Sequence, residues 1–280
     1  MSPKTIVLTG ASDGIGAAAA RRLVADGHTV AVVGRSPQKT AALARELGAE
    51  CFVADFARLT DVRSLADALQ SAYPRIDVLV NNAGGIFGDQ TRTVDGFEKT
   101  LQVNHLAPFL LTHLLLDVLI ASRASIVNTA SVAARLFGNI DLADLNNETK
   151  YSANKAYGDA KLANILFAKE LDRRFGDRGI TAVAFHPGVV RTSFASDTTS
   201  LMRFLYRTPL ARLAGFLTPE QGAEPLVWLA EGTPGRDWVS GEYYEKKKVA
   251  ATNPQAADAQ LAADLWVRSA EMVGLPGAGR

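Results

Sequence analysis

Tyr157-Gly-Asp-Ala-Lys161 sets a phenol and an ammonium four positions apart. On a helix such residues share one face, a single turn apart. A phenol, with a reference pKa of about 10, is a poor base at neutral pH. A lysine charge about 4 Å away favours the phenolate by roughly 4 kcal/mol at an effective dielectric of ~20. That is on the order of three pKa units, enough to bring a tyrosine toward the range useful for acid–base chemistry. The spacing alone is also common on solvated helix faces, and it occurs twice: Tyr151-Ser-Ala-Asn-Lys155 precedes it. The following residues separate the two. Leu162-Ala-Asn-Ile-Leu-Phe-Ala-Lys-Glu-Leu171 has an apolar period that predicts a helix with Tyr157 and Lys161 in its first turns. Tyr151, ahead of that helix, reads as a loop or substrate-side residue.

Near the start of the chain, Thr9-Gly10-Ala11-Ser12-Asp13-Gly14-Ile15-Gly16 follows an apolar run and opens a helical one. Glycine removes the Cβ that would hold backbone away from a pyrophosphate. A helix start adds free N–H groups and a partial positive charge. In a strand–turn–helix context this predicts a dinucleotide site using Gly10, Ser12, Asp13, Gly14, Ile15 and Gly16. The second strand ends in Gly34-Arg35-Ser36, with no carboxylate to meet an adenosine ribose. Arg35 offers a guanidinium to a 2′-phosphate, and Lys39 lies four residues on. NADP(H) is therefore the expected cofactor and NAD(H) the alternative. Asp13 argues the other way, because a negative charge does not help to hold a phosphate. Asp55-Phe56 and Asn82-Ala83-Gly84 end the third and fourth strands, where ligands sit in open parallel sheets.

These groups need a scaffold. Short β-branched runs at 5–8, 29–33, 51–53, 76–80, 125–127 and 180–185 alternate with helix-length stretches. Gly27 and Gly48 sit where the first two helices should end. The runs are almost wholly apolar, as in parallel strands covered on both faces. Right-handed crossovers then give a single-domain α/β Rossmann fold, a doubly wound and mostly parallel sheet of about seven strands. Residues 1–280 form one domain in this reading, with 1–130 mainly the dinucleotide half and 131–280 the catalytic and substrate half. Over 192–217 the pattern breaks into apolar residues among polar ones, predicting short amphipathic helices as a substrate cap; an ordinary packed helix pair fits equally. Later helices are expected at 219–230 and about 254–273.

Thirty basic and 29 acidic residues among 280 leave a net charge of +1, so no field gathers nucleic acid or anionic membrane. The most apolar run, 106–121, is interrupted by His113 and Asp117 and falls short of the about 20 residues of a membrane span. No integral membrane segment and no signal peptide are expected. Cys51 is the single cysteine and cannot form an internal disulfide, which fits a reducing, cytoplasmic setting. It reads as a small buried strand residue. His28, His105, His113 and His186 lie far apart, so no metal site is implied. His105 reads as packing at a helix start, and Trp228, Trp238 and Trp266 as core anchors.

TGASDGIG (9–16), NNAG (81–84), Asn104, Ser131, YGDAK (157–161) and HPGVVRT (186–192) together resemble the short-chain dehydrogenase/reductases along the whole chain. YGDAKLANILFAKEL (157–171), TPEQGA (218–223) and SGEYY (240–244) are most similar to the retinol dehydrogenase and WW-domain oxidoreductase-like branch. The resemblance implies a catalytic tetrad of Asn104, Ser131, Tyr157 and Lys161. In it Ser131 holds the substrate oxygen and Tyr157 passes the proton. Lys161 lowers the Tyr157 pKa and bonds the nicotinamide ribose, and Asn104 holds a water linking Lys161 to solvent. It also implies that Pro187, Gly188, Val190 and Thr192 place the nicotinamide carboxamide and phosphates.

The activity expected is NADP(H)-dependent interconversion of a lipophilic alcohol and its aldehyde or ketone. Its lipophilic side rests on the apolar residues within 201–217. Two rivals differ in class: a cofactor-binding sensor or scaffold without turnover, and a C=C reductase of the protochlorophyllide reductase type. Loss of tetrad residues would favour the first, and additional cysteines the second; this chain has neither feature. A homodimer through the long helices beginning near Leu101 and Tyr157 is a further implication. The apolar run 106–121 suits that interface, and suits a buried face as well.

Overall fold

The computed structural model describes residues 2–190 and 217–275. Strands and helices alternate as β1 (Thr5–Thr9), α1 (Gly14–Ala25), β2 (Thr29–Gly34), α2 (Pro37–Leu47), β3 (Glu50–Val53), α3 (Leu59–Ala72) and β4 (Val78–Asn81). Then come α4 (Lys99–Leu101), a π turn (Gln102–Leu106), α5 (Ala107–Leu114), α6 (Leu116–Ser122), β5 (Ser125–Thr129), α7 (Ala133–Phe137), α8 (Ala153–Phe175) and β6 (Thr181–His186). The described chain closes with α9 (Pro219–Glu231), β7 (Tyr243–Glu245), β8 (Lys248–Val249) and α10 (Ala259–Met272). Local chemistry sets the boundaries. Asp13 and Ser36 cap α1 and α2, and Gly48 ends α2 at φ 64 in the left-handed region. Asp258 caps α10, so the helix expected from about 254 is a short 3₁₀ turn followed by a fresh helix start.

The eight strands form one sheet in the order β3-β2-β1-β4-β5-β6-β7-β8, parallel except for the last pair. The six located runs are all strands. β7 and β8, with three and two residues, are too short to give a periodic signal. The strand order reverses between β1 and β4, which opens a crevice at their carboxyl ends. Two apolar layers cover the sheet. Leu23, Leu43, Leu226 and Leu229 of α1, α2 and α9 pack on one face, and Leu69, Leu110, Leu166 and Trp266 of α3, α5, α8 and α10 on the other.

The run 106–121 lies inside this second layer. Trp266 of α10 packs its ring 5.1 Å from Phe109, 4.5 Å from His113 and 5.7 Å from Phe167. The Arg174 guanidinium covers Trp266 at 4.8 Å. The helix face expected to pair two copies of the chain is therefore occupied by the chain's own last helix. Among the described residues no single helix is long and apolar enough to cross a membrane; Lys99–Leu114 and Leu116–Ser122 pass the length and composition test only as a pair, bent by 65°.

Two side-chain expectations change. Cys51 is exposed, because β3 is an edge strand with a neighbour on one side only. Trp238 and Trp266 are core residues, whereas Trp228 is partly buried and packs its ring on Tyr244. The cap expected over 192–217 lies outside the described residues except for Leu217, whose backbone bridges to Val190.

Candidate active site

The carboxyl ends of β1 and β4 are tied by one hydroxyl and one amide. Thr9 Oγ1 donates to the Val80 carbonyl at 3.1 Å and accepts from the Asn82 and Ala83 N–H groups at 3.0 Å. Asn82 Nδ2 donates to the Thr9 carbonyl at 2.9 Å. The loop after β4 is thereby pressed on the glycine turn. A Cβ on Gly10, which sits at φ +65, would lie 2.8 Å from the Ala83 Cα. A Cβ on Gly16 would strike the Gly10 carbonyl. The result is a backbone cradle at the start of α1, of the kind a pyrophosphate requires.

Asp13 is more than an objection to phosphate. Its Oδ1 accepts from the Gly14 N–H at 2.8 Å, and its Oδ2 pairs with Lys39 Nζ at 2.7 Å. Lys39 thus spans the mouth of the cradle and offsets the Asp13 charge. Both groups are well exposed, so the pair contributes little to stability. Arg35 lies exposed at the end of β2 on the same wall.

Ser152 caps α8, and the helix carries Tyr157 and Lys161 in its first turns. Lys161 is 2 % exposed. Its Nζ donates to the Thr129 carbonyl at 3.0 Å and lies 5.5 Å from the Tyr157 ring centroid. Burial pushes its pKa down to about 7. Ser131 follows β5, and its Oγ accepts from the Ala133 N–H at 3.2 Å as α7 begins. Gly158 lets this segment reach the helix, because a Cβ there would lie 2.8 Å from the Gly138 nitrogen.

Asn104 sits in the π turn, a deviation common at functional sites. Its Nδ2 donates to the Gly85 and Thr100 carbonyls at 2.8 Å, and its Oδ1 accepts from the Gly85 N–H at 3.1 Å. It therefore holds the Gly84-Gly85 backbone from behind and is not on the cavity wall.

The earlier tyrosine–lysine pair is used elsewhere. Tyr151 Oη donates to the Phe87 carbonyl at 3.3 Å, and burial pushes its pKa up to about 12. Lys155 Nζ donates to the Asn139 carbonyl at 3.0 Å and pairs with Asp159. Asp159 also accepts from the Asn139 N–H and from Asn147 Nδ2. The pair and its partners fasten the loop after α7 to α8.

The glycine turn, Arg35, Lys39, Asp55-Phe56, Asn82 to Gly84, Ser131, Tyr157, Lys161 and Pro187-Gly188 with Val190 all line one cavity of about 600 Å³. Thr192 lies outside the described residues. Sequence patterns did not single out Ile86, Phe87, Val132, Phe137 and Val189, which form apolar walls of the same cavity. Val189 stands within the HPGVVRT stretch (186–192) and the other four in no motif; only the fold brings the five together. Thr129, whose carbonyl accepts from Lys161, and Asn164, which donates to the same carbonyl, were missed because their contact exists only once β5 and α8 pack.

Residues 4–202 match the family model for short chain dehydrogenases. The chain is 42% identical over 278 residues to a Streptomyces sp. (strain C5) protein whose name assigns it, provisionally, as daunorubicin C-13 ketoreductase DnrU; the match covers 97% of this chain and 93% of that one. It is 39% identical to retinol dehydrogenase 13 of Homo sapiens over 282 residues, covering 97% and 85%. Among solved structures it superposes on the RhlG/NADP active-site complex of Pseudomonas aeruginosa with a TM-score of 0.68 at 26% identity, covering 87% and 96%. The cradle, the cavity and these matches agree: the chain belongs to the short-chain dehydrogenase/reductase family, in its retinol dehydrogenase-like branch, and is an NAD(P)-dependent oxidoreductase.

Proposed function

We propose that the protein interconverts a lipophilic alcohol and its aldehyde or ketone with NADP(H), Tyr157 carrying the proton. The observation that carries this is the buried Lys161 beside Tyr157, in one cavity with Ser131 and the glycine cradle. The cradle fits a dinucleotide: Gly10, Gly14 and Gly16 line the cavity, and a Cβ at Gly10 or Gly16 would strike the chain's own backbone, so glycine there lets the turn close on the start of α1. When bound, the nicotinamide supplies or accepts the hydride. Ser131 Oγ holds the substrate oxygen. In reduction Tyr157 gives its proton to that oxygen, and the Lys161 ammonium stabilises the phenolate left behind. Oxidation reverses the transfer. Burial pushes the Lys161 ammonium down to about 7, so its charge is lost and gained close to neutral pH. Asn104 acts on this reading by setting the Gly84-Gly85 backbone, and Pro187, Gly188 and Val190 by contacting the nicotinamide end.

The lipophilic substrate side is supported by Phe87, Val132, Phe137 and Val189; Phe137 and Val189 are each 46% exposed at the cavity. Alcohol–carbonyl chemistry is supported by relatives named as a ketoreductase and a retinol dehydrogenase. The preference for NADP(H) is supported by Arg35 and by the NADP named in the RhlG complex. Arg35→Asp should move the ratio of kcat/KM for NADPH over NADH at least about tenfold toward NADH, the worth of one charge-assisted phosphate contact. A ratio that does not move would remove Arg35 from the 2′-phosphate site.

The deciding assay is NADPH and NADH consumption against lipophilic aldehydes, ketones and quinones, with Tyr157→Phe as control. Turnover absent from wild type on the whole panel, with NADPH binding intact, would favour the sensor reading. For assembly, light scattering should give a mass near 29.8 kDa, because α10 fills the helix face a second copy would need. A doubled mass would require an interface elsewhere.

A further inference from the structure

A chain of buried polar groups leaves Lys161 on the side away from the cavity. The Thr129 carbonyl accepts from Lys161 Nζ at 3.0 Å and from Asn164 Nδ2 at 3.2 Å. Asn164 Oδ1 lies 3.3 Å from His105 Nδ1, and His105 Nε2 lies 2.9 Å from Ser269 Oγ on α10. Asn164, His105 and Ser269 are 3 %, 1 % and 0 % exposed, and none lines the cavity.

The direction of every bond follows from chemistry. A carbonyl oxygen only accepts, so Asn164 must face Thr129 with its amide nitrogen and His105 with its oxygen. That oxygen needs a donor, so His105 carries its proton on Nδ1. Burial keeps the ring neutral, with a pKa pushed down to about 4, so Nε2 is an acceptor and Ser269 is its donor. The donors therefore point one way, from Ser269 through His105 and Asn164 to Thr129, where Lys161 arrives from the opposite side.

We propose that Asn164, His105 and Ser269 are positioning residues for the catalytic pair, fixing the Thr129 carbonyl that holds the Lys161 ammonium beside Tyr157. This rests on the reading of Tyr157 and Lys161 as the reacting pair. An ammonium buried this deeply depends on its acceptors. If the Thr129 carbonyl is no longer held, the charged form of Lys161 loses support, and the Tyr157 phenolate loses the charge that favours it. Among the described residues, Tyr243 on β7 interacts with Tyr157, and His186 at the end of β6 lines the same cavity; burial raises the phenol of the first and lowers the imidazole of the second, so both are neutral near pH 7. Glu245 and Arg135 act on those two groups. Lys161, 5.5 Å from the Tyr157 ring centroid, is the cation that the Thr129 carbonyl holds beside it.

Two substitutions at His105 test this. His105→Asn keeps an amide donor where Nδ1 stood. His105→Gln reaches where Nε2 stood and gives Asn164 no donor. Both delete the ring, so lost packing is common to both. Phenolate absorbance is titrated in the NADP⁺ complex, as the difference from the same variant carrying Tyr157→Phe. His105→Gln should raise the Tyr157 midpoint by about one unit and lower alcohol oxidation at neutral pH about tenfold, with cofactor KM little changed. His105→Asn should stay near wild type. Equal midpoints in the two variants would overturn the proposal. If neither folds, Ser269→Ala should raise the midpoint and Ser269→Thr, which keeps the hydroxyl, should not; an unmoved Ser269→Ala would overturn it equally. The titration needs no substrate, so a wild type without turnover would count against the enzyme reading alone.

Discussion

Tyr157→Phe is expected to lower turnover by roughly three orders of magnitude, the middle of the range for removing a general acid–base group, while NADPH still binds. The substitution deletes one oxygen. The ring keeps its place on the cavity wall and its contact with Lys161, whose Nζ lies 5.5 Å from the ring centroid. Cofactor affinity and thermal stability should therefore change little. What disappears is the hydroxyl proton that the proposed mechanism transfers. Tyr151 does not substitute for it. Its hydroxyl donates to the Phe87 carbonyl, its pKa is pushed up to about 12, and its would-be lysine is paired with Asp159. Tyr151→Phe should accordingly keep turnover within several-fold of wild type. Steady-state NADPH consumption, together with NADPH fluorescence titration, checks both variants. Activity lost in Tyr151→Phe and kept in Tyr157→Phe would reverse the assignment.

Gly16→Ala should weaken NADPH binding about a hundredfold and destabilise the fold by roughly 2 kcal/mol, the scale of overpacking a closed contact. The added Cβ meets the Gly10 carbonyl, with the Gly10 carbon at 2.8 Å and the Ala11 Cα at 2.9 Å. All three are backbone atoms and cannot rotate aside. Either α1 moves away from the turn or the turn opens, and both enlarge the cradle that faces the phosphates. Gly27→Ala is the control. Gly27 also lies near α1, at φ +91, but a Cβ there meets nothing within 4 Å. It should cost about 1 kcal/mol of left-handed strain and leave NADPH binding unchanged. Thermal unfolding and fluorescence titration separate the two. Wild-type affinity in Gly16→Ala would mean that the close approach of α1 to the turn does not shape the cofactor site.

The features legible in the chain are those with a local physical cause. Six parallel strands, the glycine turn, the Arg35 end of β2 and the Tyr157–Lys161 helix each follow from hydrophobic period, missing Cβ atoms or one-turn spacing, and each lies where those patterns put it. The two tyrosine–lysine pairs were also separable by their downstream context. Other properties depend on which distant residues meet, and no local pattern encodes that. Cys51 is exposed because β3 became an edge. The run 106–121 is buried because Trp266, far along the chain, closes over Phe109 and Phe167. Asn104 turns to the Gly85 backbone, and Lys39 to Asp13. The line from Ser269 to Lys161 joins residues 164 positions apart across its His105 link. Sequence alone thus determined the fold and the groups proposed to react, because spacing and backbone freedom act over one turn or one strand. Tertiary structure decided which carbonyl holds Lys161 and which helix covers α5 and α8, because burial and hydrogen-bond direction exist only once distant segments pack.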